Sequence, residues 1–597
     1  MKNLNPVIMR IVALLTLFVL ISCQPTAEKE PVDQQPIADV FEAYYQERLV
    51  LFPFEATMAG DNRYNDVFPN SLTQSYKEEV SALFTKYQDL LATYEKSSLT
   101  AEEQTSYDVL LWECEIGLKE LSFPTELLPV DQFWSIHLGM GQFAGGSSMQ
   151  PFKTAEDYDN WLSRVTGFIA WCDTAMVNMK NGMEQGYVLP QSLSKKVIPQ
   201  FENFAIEPVE ENLFYTPVKN FPEEVSPDDR SRLEKSYRKM VTEQIVPTFK
   251  RFTTFMQEEY LPAGRTSSGI GALPNGEAFY AHRIRYYTTT EMTANEIFEL
   301  GKSEVARISS EMEEVKQQVG FEGDLKAFFD HVRSKKELMP FSDPQEVIDN
   351  FNAIHEKMKP NLAQLFDLTP KTEFVVKRTE AFREASASAQ YNPGTIDGSR
   401  PGVFYVPIPD VTKYNVLSDE DLFLHEAIPG HHYQFSLQQE NVNLPSFRKS
   451  LWYSAYGEGW ALYTESLGSE LGLYDDPYQY FGMLSAEMHR AIRLVVDAGM
   501  HSKGWTREEA IQYSLENEAE PEAGIISEIE RYMAGPGQAL SYKIGQLKIR
   551  ALRTRAEESM GEQFDIKVFH NKVLESGCIP LRLLEAKIDA WIAEAKG

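Results

Sequence analysis

The segment His425-Glu426-Ala427-Ile428-Pro429-Gly430-His431-His432 places three imidazoles and a carboxylate in one short run. Five of the ten histidines lie between 425 and 501. Neutral imidazole nitrogen and carboxylate oxygen are the usual ligands of zinc. A glutamate beside the first ligand is placed to take the proton of an activated water, so Glu426 reads as a general base. The spacing departs from the common pattern. In an H-E-x-x-H helix the ligands at i and i+4 share one face. Position i+4 is Pro429 in this chain, and His431 stands at i+6. On a straight helix His431 would point away from His425. The expectation is that Pro429-Gly430 breaks or bulges the helix and lets the two rings converge.

A third ligand is expected from Tyr456-Gly-Glu458-Gly-Trp460-Ala-Leu-Tyr463-Thr-Glu465. Its two glutamates lie on one helical face. Glu458, between two glycines that allow close approach, is the first choice. Glu465 is an alternate ligand or an outer partner that orients one. His432 is read as a packing or outer histidine, or as the second ligand in place of His431.

Further on, Arg490, Arg493, Asp497 and His501 form a polar stripe along an apolar helix. Such a stripe is costly to bury unless paired. It reads either as an internal ion-pair network or as function. In the functional reading, Asp497 orients His501 or supports the metal, and Arg490 or Arg493 meets a substrate carboxylate. Tyr542, or failing that His501, would steady the developing oxyanion. Arg400 and Tyr405 stand at a segment that reads as an edge strand, Val403–Val406, suited to strand addition by a peptide.

The elements that must position these groups are helical. From Ile297, apolar residues recur at steps of three and four through Gly301, Val305, Ile308, Met312 and Val315. Thr293 and Glu296 have capping-box spacing before that run. Similar stripes occupy 38–50, 74–95, 157–180, 344–366, 484–501 and 540–556. Another spans Leu233 to Met256, with a kink expected at Pro247. Strands are few, best seen at Glu373–Lys377 and Gly402–Pro407. The Gly-rich stretch Gly139–Gly146 reads as a loop.

The chain opens with Lys2 and Arg10, an apolar run Ile11–Ile21, and Ser22-Cys23. This is a secretory signal over residues 1–22. Its ending resembles a bacterial lipobox, which implies acylation of Cys23. Residues 23–36 are proline-rich and charged, as suits a tether. Residues 37–597 read as one helical body, or two lobes of one. Among 597 residues, 57 basic and 88 acidic side chains give a net charge of −31. That excludes a nucleic-acid partner of the usual basic kind. Cys114, Cys172 and Cys578 form no metal or redox pattern and read as buried thiols.

The runs HEAIPGHHYQ, EGWALYTESLG, RLVVDAGMHSKGW and PGQALSYKIG, with LPNGEAFYA and SRPGVFYVP upstream, resemble the bacterial family known as DUF885. Many of its members are lipoproteins, in keeping with Cys23. More distantly, Glu458-Gly-Trp-Ala is similar to the Glu-Gly-Phe-Ala of gluzincin aminopeptidases, which implies that Glu458 is the third ligand. Gly430-His431 is similar to the Gly-His of the oligopeptidase helix, which implies that His431 is the second and Glu426 the base. The fold implied is mainly α, a large zincin-like helical body around a cleft with a small β-sheet. The function implied is a zinc metallopeptidase with one Zn2+, acting on short peptides and lipid-anchored in the bacterial cell envelope, on the periplasmic or outer face. An amidase of cell-wall peptides, or an inactive binding lipoprotein on the same scaffold, fits the same residues.

Overall fold

The computed structural model describes residues 35–146, 149–380, 384, 387–395 and 400–596. The signal segment, Cys23 and the tether as far as residue 34 lie outside them. The chain divides into two units, residues 1–40 and 41–597. In the first, the helix Ile37–Leu51 begins. The second is mainly helical with one small sheet.

The periodic stripes become helices Gln74–Leu91, Ala155–Gln185, Pro344–Leu365, Pro477–Ser502 and Ser541–Met560. The helix Ala294–Gln318 opens on the expected capping box. The Thr293 hydroxyl accepts from Glu296 N at 3.2 Å, and the Glu296 carboxylate accepts from Thr293 N at 2.8 Å. Two otherwise unpaired backbone donors are thereby satisfied. Around Pro247 the chain stays helical from Pro227 to Ala263, and a π-helical turn, Val241–Ile245, absorbs the missing N–H donor. The Gly-rich stretch departs from the expected loop. It forms a helix, Ile136–Ala144, because Met140 and Ala144 join the core with Ile136 against it. That apolar period outweighs the poor helix propensity of glycine.

Helices 155–185 and 191–204 and the helical run 227–263 share an aromatic core that includes Phe168, Phe201, Phe249 and Phe252. The Phe201 and Phe252 rings lie 4.4 Å apart. Cys114, Cys172 and Cys578 are buried and free. Apolar burial rather than cross-linking therefore holds this core.

Three strands, β1 (Phe374–Arg378), β2 (Gln390–Asn392) and β3 (Gly402–Val406), lie in the order β1-β3-β2. β1 runs parallel to β3 and β2 antiparallel to it. The Val403–Val406 segment is thus the central strand and not an edge. Both of its sides are already paired, which removes the strand-addition role expected near Arg400 and Tyr405. The near-continuous burial of Gly402, Val403, Phe404 and Val406 is the mark of a central strand.

Seven helices surround the chemically interesting residues and are numbered in chain order. They are α1 (Ala294–Gln318), α2 (Asp419–Glu426), α3 (His431–Glu440), α4 (Ser454–Glu465), α5 (Pro477–Ser502), α6 (Glu522–Ala534) and α7 (Ser541–Met560). α4 and α7 touch backbone to backbone. A Cβ on Gly459 would collide with the Gly545 Cα, and one on Gly545 with the Ala455 carbonyl oxygen. The rotation of α7 is fixed by Lys543, which is fully buried. Its ammonium lies 2.6 Å from Glu487 of α5 and 3.0 Å from Glu304 of α1. Removing one partner of such a buried pair costs ~3–5 kcal/mol.

The Gly545→Ala variant is expected to lose ~2 kcal/mol or more of stability through overpacking, read as a lower urea midpoint. An unchanged midpoint would show that the two helices can separate without cost.

Candidate metal centre

The helical path breaks directly after Glu426. Ala427 leaves helical geometry at φ −105°, ψ −103°. The Ile428–Pro429 peptide is cis, and α3 begins at His431 after Gly430. Gly430 folds back onto the last turn of α2. A Cβ there would collide with the carbonyl oxygens of both Leu424 and His425. Only a bare α-carbon lets α3 start against the end of α2. α4 secures the break from outside. The Trp460 indole N–H donates to the Pro429 carbonyl at 2.9 Å, and the Thr464 hydroxyl to the Leu424 carbonyl at 3.0 Å. These bonds satisfy carbonyls that the interrupted helix leaves without partners.

The outcome is convergence. The His425 and His431 rings lie 4.7 Å apart and 86° to one another. Glu458 Oε2 stands 3.6 Å from His425 Nε2 and 3.4 Å from His431 Nε2. The ligand atoms of all three residues lie within 4.8 Å of one another. Four bonds of ~2.1 Å arranged tetrahedrally put neighbouring ligands ~3.4 Å apart. Direct N–H···O hydrogen bonds would be shorter, near ~2.9 Å. The observed spacing matches the first figure. His431 and Glu458 keep 11% and 15% of their side-chain exposure, so the centre is reachable from solvent.

Glu465 takes the outer position. Its carboxylate lies 2.7 Å from His425 Nδ1, fixing the ring so that Nε2 faces Glu458. Burial alone would lower the pKa of His425, but Glu458, Glu465 and Glu426 outweigh it and raise it to about 10. For Glu458, burial works toward a higher pKa, and the two imidazoles overcome it and hold the carboxyl well below the usual range. One turn before His425, burial and then Glu465 push the Asp421 carboxyl well up. This much negative charge around two imidazoles calls for a cation. Nitrogen with oxygen donors fits zinc, whereas magnesium and calcium prefer oxygen alone. Glu426 is buried at the end of α2, and its charge acts on His425.

His432 points the other way. Its Nδ1 lies 3.0 Å from the Tyr391 hydroxyl on β2, its ring packs on Phe374, and burial lowers its pKa to about 4. Tyr542 stands on α7, where the Glu458 charge acts on it. Burial and then the Glu458 charge raise its pKa, against the lowering influence of Arg493 and Arg531. Arg493 lies over its ring at 4.6 Å. Arg490 donates to the Ala486 carbonyl at 3.3 Å, and its charge acts on Asp421.

His501 and Asp497 are placed otherwise than expected. His501 Nδ1 accepts from Ile270 N and Nε2 donates to the Tyr532 carbonyl, both at 3.0 Å. With both nitrogens bound to backbone, His501 ties elements together and has none left for an oxyanion. Burial lowers its pKa to about 3. Asp497 accepts from the Tyr280 hydroxyl at 2.5 Å and from Gly537 N at 3.2 Å, so its carboxylate does not orient His501. Burial pushes its pKa up to about 7 against those two donors. Sequence reading missed Asp421, although its place one turn before His425 was visible. It also missed Glu528, Arg531, Tyr532 and Gln538, whose relation to Tyr542 appears only once α6 packs beside α5.

The model of the family described as bacterial protein of unknown function (DUF885) matches residues 53–588. The chain belongs to the DUF885 family. No curated protein matches it. Among solved structures, a candidate lipoprotein from Colwellia psychrerythraea is 26% identical, with a TM-score of 0.84 over 94% of this chain and 99% of that one. A candidate lipoprotein of unknown function from Shewanella oneidensis is 20% identical, with a TM-score of 0.72 over 92% and 99%. A carboxypeptidase from Pyrococcus furiosus, at 13% identity and a TM-score of 0.37 over 94% and 99%, is too dissimilar to carry an argument. The long, well-superposed likenesses share the DUF885 chain's mainly α fold.

Glu465→Gln is expected to weaken zinc binding ~10–100-fold by competitive chelator titration, whereas His432→Gln leaves it unchanged. Asp497 supplies a pH test. A carboxyl whose folded pKa is raised contributes stability below its unfolded pKa, and this is lost as pH rises to about 7. Asp497→Asn should therefore remove ~2–4 kcal/mol of the stability lost between pH 4 and pH 8, measured by urea unfolding at both.

Proposed function

We propose that this DUF885 protein is a zinc-dependent metallopeptidase of short peptides. The observation that carries the reading is the convergence of His425, His431 and Glu458 at metal-ligand spacing, with a buried glutamate next in sequence to the first imidazole. Zinc held by these three would polarise a peptide carbonyl and make water more acidic. Glu426 takes the proton of the attacking water and passes it to the leaving amine. Tyr542 donates its hydroxyl to the carbonyl oxygen as that oxygen gains charge. The Arg493 guanidinium over the ring helps to hold Tyr542 in place. Glu465 keeps His425 turned toward the centre.

The same reading places the enzyme in the bacterial cell envelope, anchored through a lipid on Cys23. The lipobox-like Leu20-Ile21-Ser22-Cys23 supports this, as do the lipoprotein names of the two well-superposed relatives. Among the described residues no helix is long and apolar enough to cross a membrane.

Purified protein is expected to carry about one zinc per chain and to hydrolyse peptides until chelated. Glu426→Gln should keep the zinc and lose ~10²–10⁴-fold in kcat. Tyr542→Phe should lose ~10²–10³-fold. Failure to retain or regain any transition metal would sink this reading, and so would full activity in Glu426→Gln.

A further inference from the structure

The charges around Tyr542 do more than place its ring. Glu528 of α6 serves two guanidiniums at once. It accepts from Arg493 Nη2 at 3.0 Å, and from Arg531 Nε at 2.9 Å and Nη2 at 2.8 Å. Arg493 Nε donates to the Tyr532 hydroxyl at 2.8 Å, which in turn donates to Glu528 at 2.6 Å. Arg531 Nη1 donates to Gln538 at 2.8 Å. The nearby Glu518 carboxylate is paired with His489. Two guanidiniums therefore share Glu528, and His489 lies between Glu518 and Arg493 Nη2, 3.1 Å from the latter.

Arg493 also keeps an unused donor. It is 7% exposed, and its Nη1 is buried without an acceptor among the described residues. A buried N–H donor without a partner is costly, so a site of this kind is completed by an acceptor. The guanidinium that carries it lies over the ring of Tyr542, whose hydroxyl lies within the field of Glu458. The unused donor thus sits on a guanidinium stacked on the ring whose hydroxyl the Glu458 charge acts on.

The unused donor then gives direction. A peptide entering amino end first would bring an ammonium, which offers Nη1 no acceptor. A peptide entering carboxyl end first brings the planar anion that a guanidinium binds best. We propose that Arg493, through Nη1, binds a carboxylate on the leaving-group side of the scissile bond. By this assignment the enzyme removes residues from the carboxyl end of short peptides. The assignment rests on the peptidase reading for its chemistry, but carboxylate binding itself can be measured without catalysis.

The test is equilibrium binding to the full chain after zinc removal. Three probes are used: acetyl-Ala-Ala-Ala as free acid, the same peptide as its carboxyl-terminal amide, and acetyl-Ala-Ala-Glu amide. Wild type is expected to bind the free acid at least ~10-fold tighter than its amide, the worth of one charge-assisted hydrogen bond. Arg493→Gln should bring that ratio close to one. Arg493→Lys, which keeps the charge but loses the fork, should keep part of it and guards against misfolding of the first variant. Equal binding of acid and amide by wild type overturns the proposal, as does a ratio that survives in Arg493→Gln. A preference for the Glu-amide over the acid would overturn the terminal assignment and move the recognised carboxylate to a side chain. If the acid preference holds and depends on Arg493 while zinc-loaded protein cleaves none of the peptides, the peptidase reading fails and the carboxylate site stands.

Discussion

The bare α-carbon of Gly430 rests against the carbonyl oxygens that end α2, and the centre depends on that contact. Two residues too many separate His425 from His431 for a continuous helix. The chain removes the mismatch by ending one helix and starting another against it, which is possible only where no side chain intervenes. α4 then holds the fold-back with two hydrogen bonds and brings in Glu458 on the same helix. Ring convergence, outer support from Glu465 and the placing of Glu426 all follow from one missing methyl group.

Two opposed electrostatic regions meet at Tyr542. On one side, carboxylates exceed the positive charge their imidazole neighbours provide, a surplus suited to a dication. On the other, two guanidiniums share Glu528, and one of them keeps a donor without an acceptor. The net charge of −31 belongs to the surface as a whole and gives no hint of this local division. Sequence totals average over distances far beyond the ~8–10 Å at which ions are screened.

Much of the architecture was legible because helical periodicity is written locally. The stripes, the capping box at Thr293 and two of the three strands lie where patterning puts them. Convergence of His425, His431 and Glu458 was also anticipated, though only as a demand on a broken helix. What could not be read depends on partners distant in sequence. β2 is three residues long and shows itself only by pairing with β3, so β3 looked like an edge. The polar stripe on α5 was visible, but its division was not: Asp497 and His501 bond to Tyr280 and to backbone, while Arg493 turns to α6 and Tyr542. Spacing alone identifies which residues share a face and leaves open what that face meets.

The contact between Gly459 and Gly545 bears on temperature. Most distances inside a protein pass through side chains that change rotamer as the molecule warms. The separation of α4 from α7 passes through none, since backbone meets backbone. Glu458 and Tyr542 flank that contact, each anchored within a few residues of it. The spacing of the two backbones that carry Glu458 and Tyr542 is therefore the dimension with the fewest thermally accessible alternatives, and it should hold until the helix pair itself comes apart.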